Sequence, residues 1–250
     1  RMRCQSPALL PRFARERGPA QQCFHLYANT FRVCGQSLTR ADGSIDTRGR
    51  HAALCSTGGG FERRHTRLKE WVRTWLRDVC HLPTVYKAEQ YVAQWCRPAQ
   101  AKDASGRPMV DRVTGAPVMT WEEAWLDVGY VDDLGVPGYV DVTYVNASPW
   151  EDSPELLERA STAGKAAGDA TRRKLLRYPP AAYPGAEFVP FAVEARGRLG
   201  SEVLPFLRQH APQGPARGAV LARAKRDISI ITHQGLAALL LTAEPRSHGA

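Results

Sequence analysis

The chain has 250 residues, 43% of them hydrophobic and 24% charged, which excludes a disordered polyelectrolyte and leaves room for one sizeable core. Lysine and arginine number 34 against 25 for aspartate and glutamate, a formal charge of +9 that makes a polyanion the first partner to consider. No apolar run approaches the roughly 20 residues of a membrane span, the opening RMRCQSPALLPRF lacks the apolar region of a signal peptide, and six scattered cysteines suit free thiols or metal ligands better than a disulfide scaffold. A nuclear or cytoplasmic location without a membrane partner is the expectation.

Residues 1–22 are rich in Arg, Pro and Gln without periodicity and read as a tail; the start on Arg1 rather than Met suggests a piece of something longer. In the segment 23–60, His51-x-x-x-Cys55 has the spacing of the second half of a zinc knuckle, and Cys34-Gly35 resembles the end of its first half. No second cysteine lies just before Cys34, so the expected Zn2+ ligands are Cys34, His51 and Cys55 with Cys23 or His25 across a longer loop. A degenerate site is the alternative.

Leu68, Trp71, Val72, Trp75, Leu76 and Val79 recur at helical spacing and predict a helix over 64–79. Arg64, Arg67, Lys69, Arg73 and Arg77 occupy much of the remaining circumference, as a phosphate-facing surface or a solvated face. Thr84 to Val92 reads as a strand containing Glu89. The loop-rich insertion 96–120 holds two similar turns, Ser105-Gly106-Arg107-Pro108 and Thr114-Gly115-Ala116-Pro117, and suggests a short exposed hairpin.

The next stretch, WLDVGYVDDLGVPGYVDVTYV, predicts a β-hairpin with strands at 125–131 and 138–145. Each strand carries one carboxylate among residues that favour burial, Asp127 between Leu126 and Val128 and Asp141 between Val140 and Val142. An unpaired buried carboxylate is expensive. Two side by side call for a cation, either a hard divalent metal held through oxygen or arginines from the basic chain. Tyr130-Val131-Asp132-Asp133 spells the Tyr-x-Asp-Asp turn of reverse transcriptases, but no fingers region of such a polymerase is evident in the residues upstream, and the tetrapeptide reads as turn chemistry.

Ser153-Pro154-Glu155 starts a helix expected to run to about Tyr178. Ala160, Ala163, Ala167, Thr171, Lys174 and Tyr178 share one face, so small residues let the helix approach a sheet and Lys174 is the long cation on the packed side. Glu187–Glu194 reads as a buried strand, 202–210 as a short helix, 217–241 as a helical pair, and 244–250 as a tail.

This ordered set resembles the restriction-endonuclease-like, PD-(D/E)-x-K, nuclease superfamily. More closely it is similar to the C-terminal endonuclease region of site-specific LINE-type (non-LTR) retrotransposons. The features that carry the resemblance are the Cys34-Gly35 and His51-x-x-x-Cys55 knuckle, Arg64-His65 opening a helix, Leu126-Asp127-Val128, Asp141-Val142-Thr143, Lys174-x-x-Arg177-Tyr178, and Phe188-Val189-Pro190 through Val193-Glu194. It implies an α/β (α+β) fold: a mixed sheet flanked by helices over 61–243, with a small zinc-knuckle-like segment before it. It further implies Asp127 and Asp141 as ligands of Mg2+ or Mn2+, Glu89 as an extra ligand, and Lys174 as the catalytic lysine, displaced from the usual place, which holds Thr143. Arg64, Arg67, Arg73, Arg172, Arg173 and Arg177 would contact nucleic acid. The implied activity is DNA nicking, and the implied partners are DNA and a reverse transcriptase region of the same polyprotein with its RNA. Leu126 and Arg177 depart from the usual Pro or Ala and Lys. A catalytically inactive nucleic-acid-binding remnant of the same fold is the competing expectation.

Overall fold

The computed structural model describes residues 22–27, 30–37, 60–103, 106–147 and 154–242. An antiparallel pair, β1 (Gln22–Tyr27) and β2 (Thr30–Ser37), comes first. Helix α1 (Gly60–Thr74) follows and continues as a π-helical turn over Trp75–Val79. Then come the short strands β3 (Thr84–Val85) and β4 (Gln90–Tyr91), an arm built on β5 (Arg97–Gln100) and β6 (Met119–Glu122), and β7 (Trp125–Leu126), β8 (Val128–Val131) and β9 (Pro137–Val145). Helices α2 (Pro154–Ser161) and α3 (Lys165–Arg177), strand β10 (Glu187–Glu194), and helices α4 (Val203–His210) and α5 (Arg217–Thr242) complete the order. No helix among the described residues is long and apolar enough to cross a membrane.

The central sheet is mixed, in the order β10-β9-β8-β3, with β9 and β10 parallel and the other pairs antiparallel. Side chains alternate across it. Val128, Tyr130, Val140, Val142, Tyr144, Val189, Phe191 and Val193 form one buried face against Leu68 and Val72 of α1, Leu76 of the π-helical turn, Phe206 and Leu207 of α4, and Ile228 of α5. On the opposite face Ala167 and Ala170 of α3 lie against Ala192, their small side chains allowing a close approach. A parallel neighbour cannot be reached by a tight turn, so the chain between β9 and β10 must cross over, and α2 and α3 provide that crossover.

The β8–β9 hairpin closes as expected, on turn chemistry. Asp132 Oδ1 accepts from the amides of Leu134 (2.9 Å) and Val136 (2.8 Å), and Gly135 takes the left-handed conformation at φ +79°. The last turn of the 64–79 helix widens to π geometry, with the Cys80 amide bonding the Trp75 carbonyl at 3.0 Å. The expected strand over 84–92 is split. Val85 pairs with Tyr130 in the central sheet, whereas Gln90 and Tyr91 pair with Leu126 and Trp125.

Two other expectations are corrected. The helix over 153–178 breaks at Ser161-Thr162-Ala163-Gly164, where Gly164 at φ +79° ends the run; Ala160 and Ala163 are exposed, and the packed face belongs to α3 alone. The region 217–241 is one helix, because no proline or turn interrupts it. Gly235 within it gives room to Arg64, whose Cγ would lie 2.5 Å from a Cβ added there. The insertion 96–120 is the hairpin expected: β5 pairs antiparallel with β6, and further antiparallel bridges join Lys102 to Pro108 and Val110 to Pro117.

Gly138 lies under the ring of Tyr130, which an added Cβ would overlap. Gly138→Ala is therefore expected to displace that ring and lower unfolding stability by about 1–3 kcal/mol, read as a lower urea midpoint with an unchanged slope.

Candidate active site

The register Val128↔Val140 brings the residues just beyond it, Asp127 and Asp141, side by side on neighbouring strands, and both are nearly buried, at 8% and 6% exposure. At Asp127 the strand is interrupted. Its Oδ2 accepts from the Val142 amide of β9 at 2.8 Å and from His65 Nε2 of α1 at 3.1 Å. The same Nε2 lies 3.1 Å from the Val142 carbonyl oxygen. Lys69, one turn further along α1, approaches Asp127 Oδ1 at 3.9 Å and pairs with Glu89 at 2.6 Å. From the crossover helix, Lys174 Nζ comes within 2.6 Å of Asp141 Oδ2. The contact is an ion pair without the alignment of a hydrogen bond, leaving that buried oxygen with no aligned donor. Tyr178, one turn beyond Lys174, closes the floor with Trp95.

The two carboxyls titrate in opposite directions. Burial pushes Asp141 up to about 6; Lys174 opposes the rise and neighbouring Asp127 adds to it. Burial also works on Asp127, but the His65 hydrogen bond and charge, the Val142 amide and Lys69 outweigh it and hold that carboxyl below its ordinary value. Burial works against protonation of His65, yet the hydrogen bond and charge of Asp127 raise it above the ordinary imidazole value. Two lysines, together with an imidazole whose protonated form is favoured by Asp127, therefore face a carboxylate pair that would otherwise repel itself.

The expected site residues separate into those brought together and those directed elsewhere. Asp127, Asp141 and Lys174 meet. Glu89 stands at the rim, half exposed, and touches the cluster through Lys69. Of the six arginines expected on nucleic acid, three are turned inward. Arg64 is 1% exposed, with its guanidinium 4.2 Å from the centre of the Tyr144 ring. Arg73 is buried against Glu70. Arg177 donates to the carbonyls of Trp95 (2.7 Å) and Glu123 (3.0 Å) and pairs with Glu122 (3.3 Å), which ties α3 to the base of the arm. These corrections share a cause: the three aliphatic stems pack between elements, and the charge is answered inside the protein. Arg67, Arg172 and Arg173 remain at the surface. Cys23 and Cys34 fall on β1 and β2, whereas His51 and Cys55, and with them the zinc-knuckle expectation, lie outside the described residues.

His65 and Lys69 were not singled out as site residues from sequence. Their spacing of four places them on one face of α1, a signal that becomes informative only when that face is known to meet Asp127. Tyr91 and Trp125 are exposed, their rings 5.3 Å apart on the paired strands β4 and β7. No protein-family model matches the chain, and a comparison with curated proteins finds no match.

The opposite shifts predict opposite stability effects in metal-free buffer. Because the folded-state value of Asp141 is raised to about 6, its contribution to stability is complete below the ordinary carboxylate range and is lost as pH rises through about 6. Asp141→Asn is expected to be more stable than wild type at pH 8, by on the order of 2 kcal/mol, with the difference vanishing near pH 4. Asp127, held low, contributes above the ordinary range, and Asp127→Asn is expected to melt at lower temperature at pH 8. Thermal melts of both variants across this range check the two signs.

Proposed function

We propose that this protein is a metal-dependent DNA endonuclease that nicks by phosphodiester hydrolysis, of the restriction-endonuclease-like type found in LINE-type retrotransposons. The observation that carries the reading is the meeting of Asp127, Asp141 and Lys174 from two adjacent strands and the crossover helix. The order helix α1, antiparallel strands β3, β8 and β9, crossover helix α3 and parallel strand β10 supports it, since that superfamily uses the same succession.

The donor set suits Mg2+ or Mn2+. Among the described residues no three His, Cys, Asp or Glu side chains form an all-protein metal cage, and Mg2+ ordinarily takes one or two carboxylates together with water and substrate phosphate. Asp141 Oδ2, which Lys174 Nζ approaches at 2.6 Å, is the oxygen that would pass to such an ion. When bound, a divalent ion stabilises charge on the phosphate and makes water more acidic. Asp127 and Asp141 would hold it. Lys174, whose side chain is 31% exposed, would exchange its partner Asp141 for the negative charge that builds on the phosphorane. Glu89 is a further oxygen at the rim. Arg67, Arg172 and Arg173 are the cations that can reach the DNA backbone, giving affinity that falls with salt and depends little on sequence. By the same reading, a reverse transcriptase region of the same polyprotein and its RNA are partners, a zinc knuckle precedes the nuclease, and the protein acts in the nucleus or cytoplasm.

A second reading, a non-catalytic DNA-binding remnant, is favoured by one observation: Lys174, His65 and Lys69 already partner both acids. Nicking of supercoiled plasmid at low salt separates the two. For the enzyme, nicking requires Mg2+ or Mn2+, disappears in Asp141→Asn, falls by about 100-fold in Lys174→Ala, and declines steeply with added salt. A folded protein that binds plasmid equally with or without metal and never nicks it leaves the remnant reading standing.

A further inference from the structure

We infer that His65 is a positioning residue that restricts Asp127 to a single free oxygen and thereby sets which divalent ion the site prefers. The inference rests on the endonuclease reading in one respect, that an ion is held between Asp127 and Asp141.

The geometry begins at one nitrogen. His65 Nε2 lies 3.1 Å from Asp127 Oδ2 and 3.1 Å from the Val142 carbonyl oxygen. Both neighbours are acceptors, so Nε2 carries the hydrogen and shares it between them. The Val142 amide donates to the same Oδ2 at 2.8 Å. One carboxylate oxygen thus receives two donors, from the imidazole of α1 and the backbone of β9. The other, Oδ1, faces Lys69 at 3.9 Å.

An oxygen that already accepts two hydrogen bonds is a poor second ligand, so Asp127 binds through Oδ1 alone. Mg2+ and Mn2+ accept single carboxylate oxygens in a six-coordinate shell, whereas Ca2+ takes six to eight oxygens and often both from one carboxylate. Removing the His65 donor frees Oδ2, loosens the aim of Oδ1, and opens a two-oxygen mode that suits Ca2+. Groups that orient a ligand from behind commonly change metal affinity by about 10- to 100-fold. A purely structural role, tying α1 to β9, would change melting temperature without changing the ratio of affinities.

The test is Mn2+ binding to the full chain without DNA, followed by the electron paramagnetic resonance signal of free Mn2+, with Ca2+ as competitor. His65→Ala, His65→Gln and His65→Asn are compared with wild type. A glutamine places its amide nitrogen near the position of Nε2, and an asparagine is too short. The expected result is Mn2+ affinity reduced about 10- to 100-fold in His65→Ala and His65→Asn, with a clearly smaller preference for Mn2+ over Ca2+, and near wild-type behaviour in His65→Gln. Unchanged Mn2+ affinity in His65→Ala, or an equal loss for both ions, overturns the inference while leaving the endonuclease reading intact. Should the alanine variant fail to fold, equal selectivity in His65→Gln and His65→Asn overturns it in the same way. Wild-type protein that binds no Mn2+ overturns both. The expected pattern in a protein that never nicks plasmid supports the inference and removes only the endonuclease reading.

Discussion

Two carboxylates buried side by side repel each other, and much of this protein is arranged to bear that repulsion. Asp127 and Asp141 come from adjacent antiparallel strands whose register leaves them no choice of neighbour. Each is answered by a different element: Asp127 by His65 and Lys69 of α1, Asp141 by Lys174 of α3. The two helices reach the hairpin from separate parts of the chain, and each carries an apolar or small-residue face that docks it. The packing that buries Leu68 and Val72 also delivers His65 and Lys69; the packing of Ala167 and Ala170 also delivers Lys174. Hydrophobic burial therefore supplies the energy, and the cationic side chains ride on it.

The parallel pairing of β9 with β10 is what allows this division of labour. An antiparallel fourth strand could have followed β9 through a short turn, and no helix would then cross the face that Asp141 occupies. Because the pairing is parallel, the chain must travel back along the sheet. That return includes α3, whose small residues let it settle close enough for a lysine about two and a half turns from its start to meet the carboxylate.

The parts legible in sequence were those set by local pattern. Alternation and turn residues disclosed the hairpin and both acids, and helical periodicity picked Lys174 out of a region with several cations. Contacts between distant segments were not legible. Charge alone does not tell which way an arginine points. Arg64 sits in the middle of a basic run, yet it is buried because Gly235 on α5 leaves a space for its stem and Tyr144 offers a ring to its guanidinium. Arg177 reads as a surface cation until the carbonyls of Trp95 and Glu123 are seen to converge on it. The break at Gly164 was missed for a different reason: the flanking segments are both strongly helical, and one left-handed residue is enough to separate them.

The asymmetry of the two acids carries the argument one step further. Equivalent environments would give a pair that shares protons, with neither member committed to the charged form. Here Asp127 receives two donors on Oδ2 and is held below its ordinary value, whereas Asp141 is more deeply desolvated and relies on an ion pair to a partly exposed lysine. Asp127 is thus a fixed point, already aimed before any ligand arrives. Asp141 is the member whose charge is least stabilised by the protein and therefore gains most from an added cation. On the proposed reading, such a site would draw its affinity for a divalent ion from the acid it leaves less satisfied and its geometry from the acid it holds more firmly. On the endonuclease reading proposed above, a bound cation would offset part of the free energy that ionising Asp141 costs the protein.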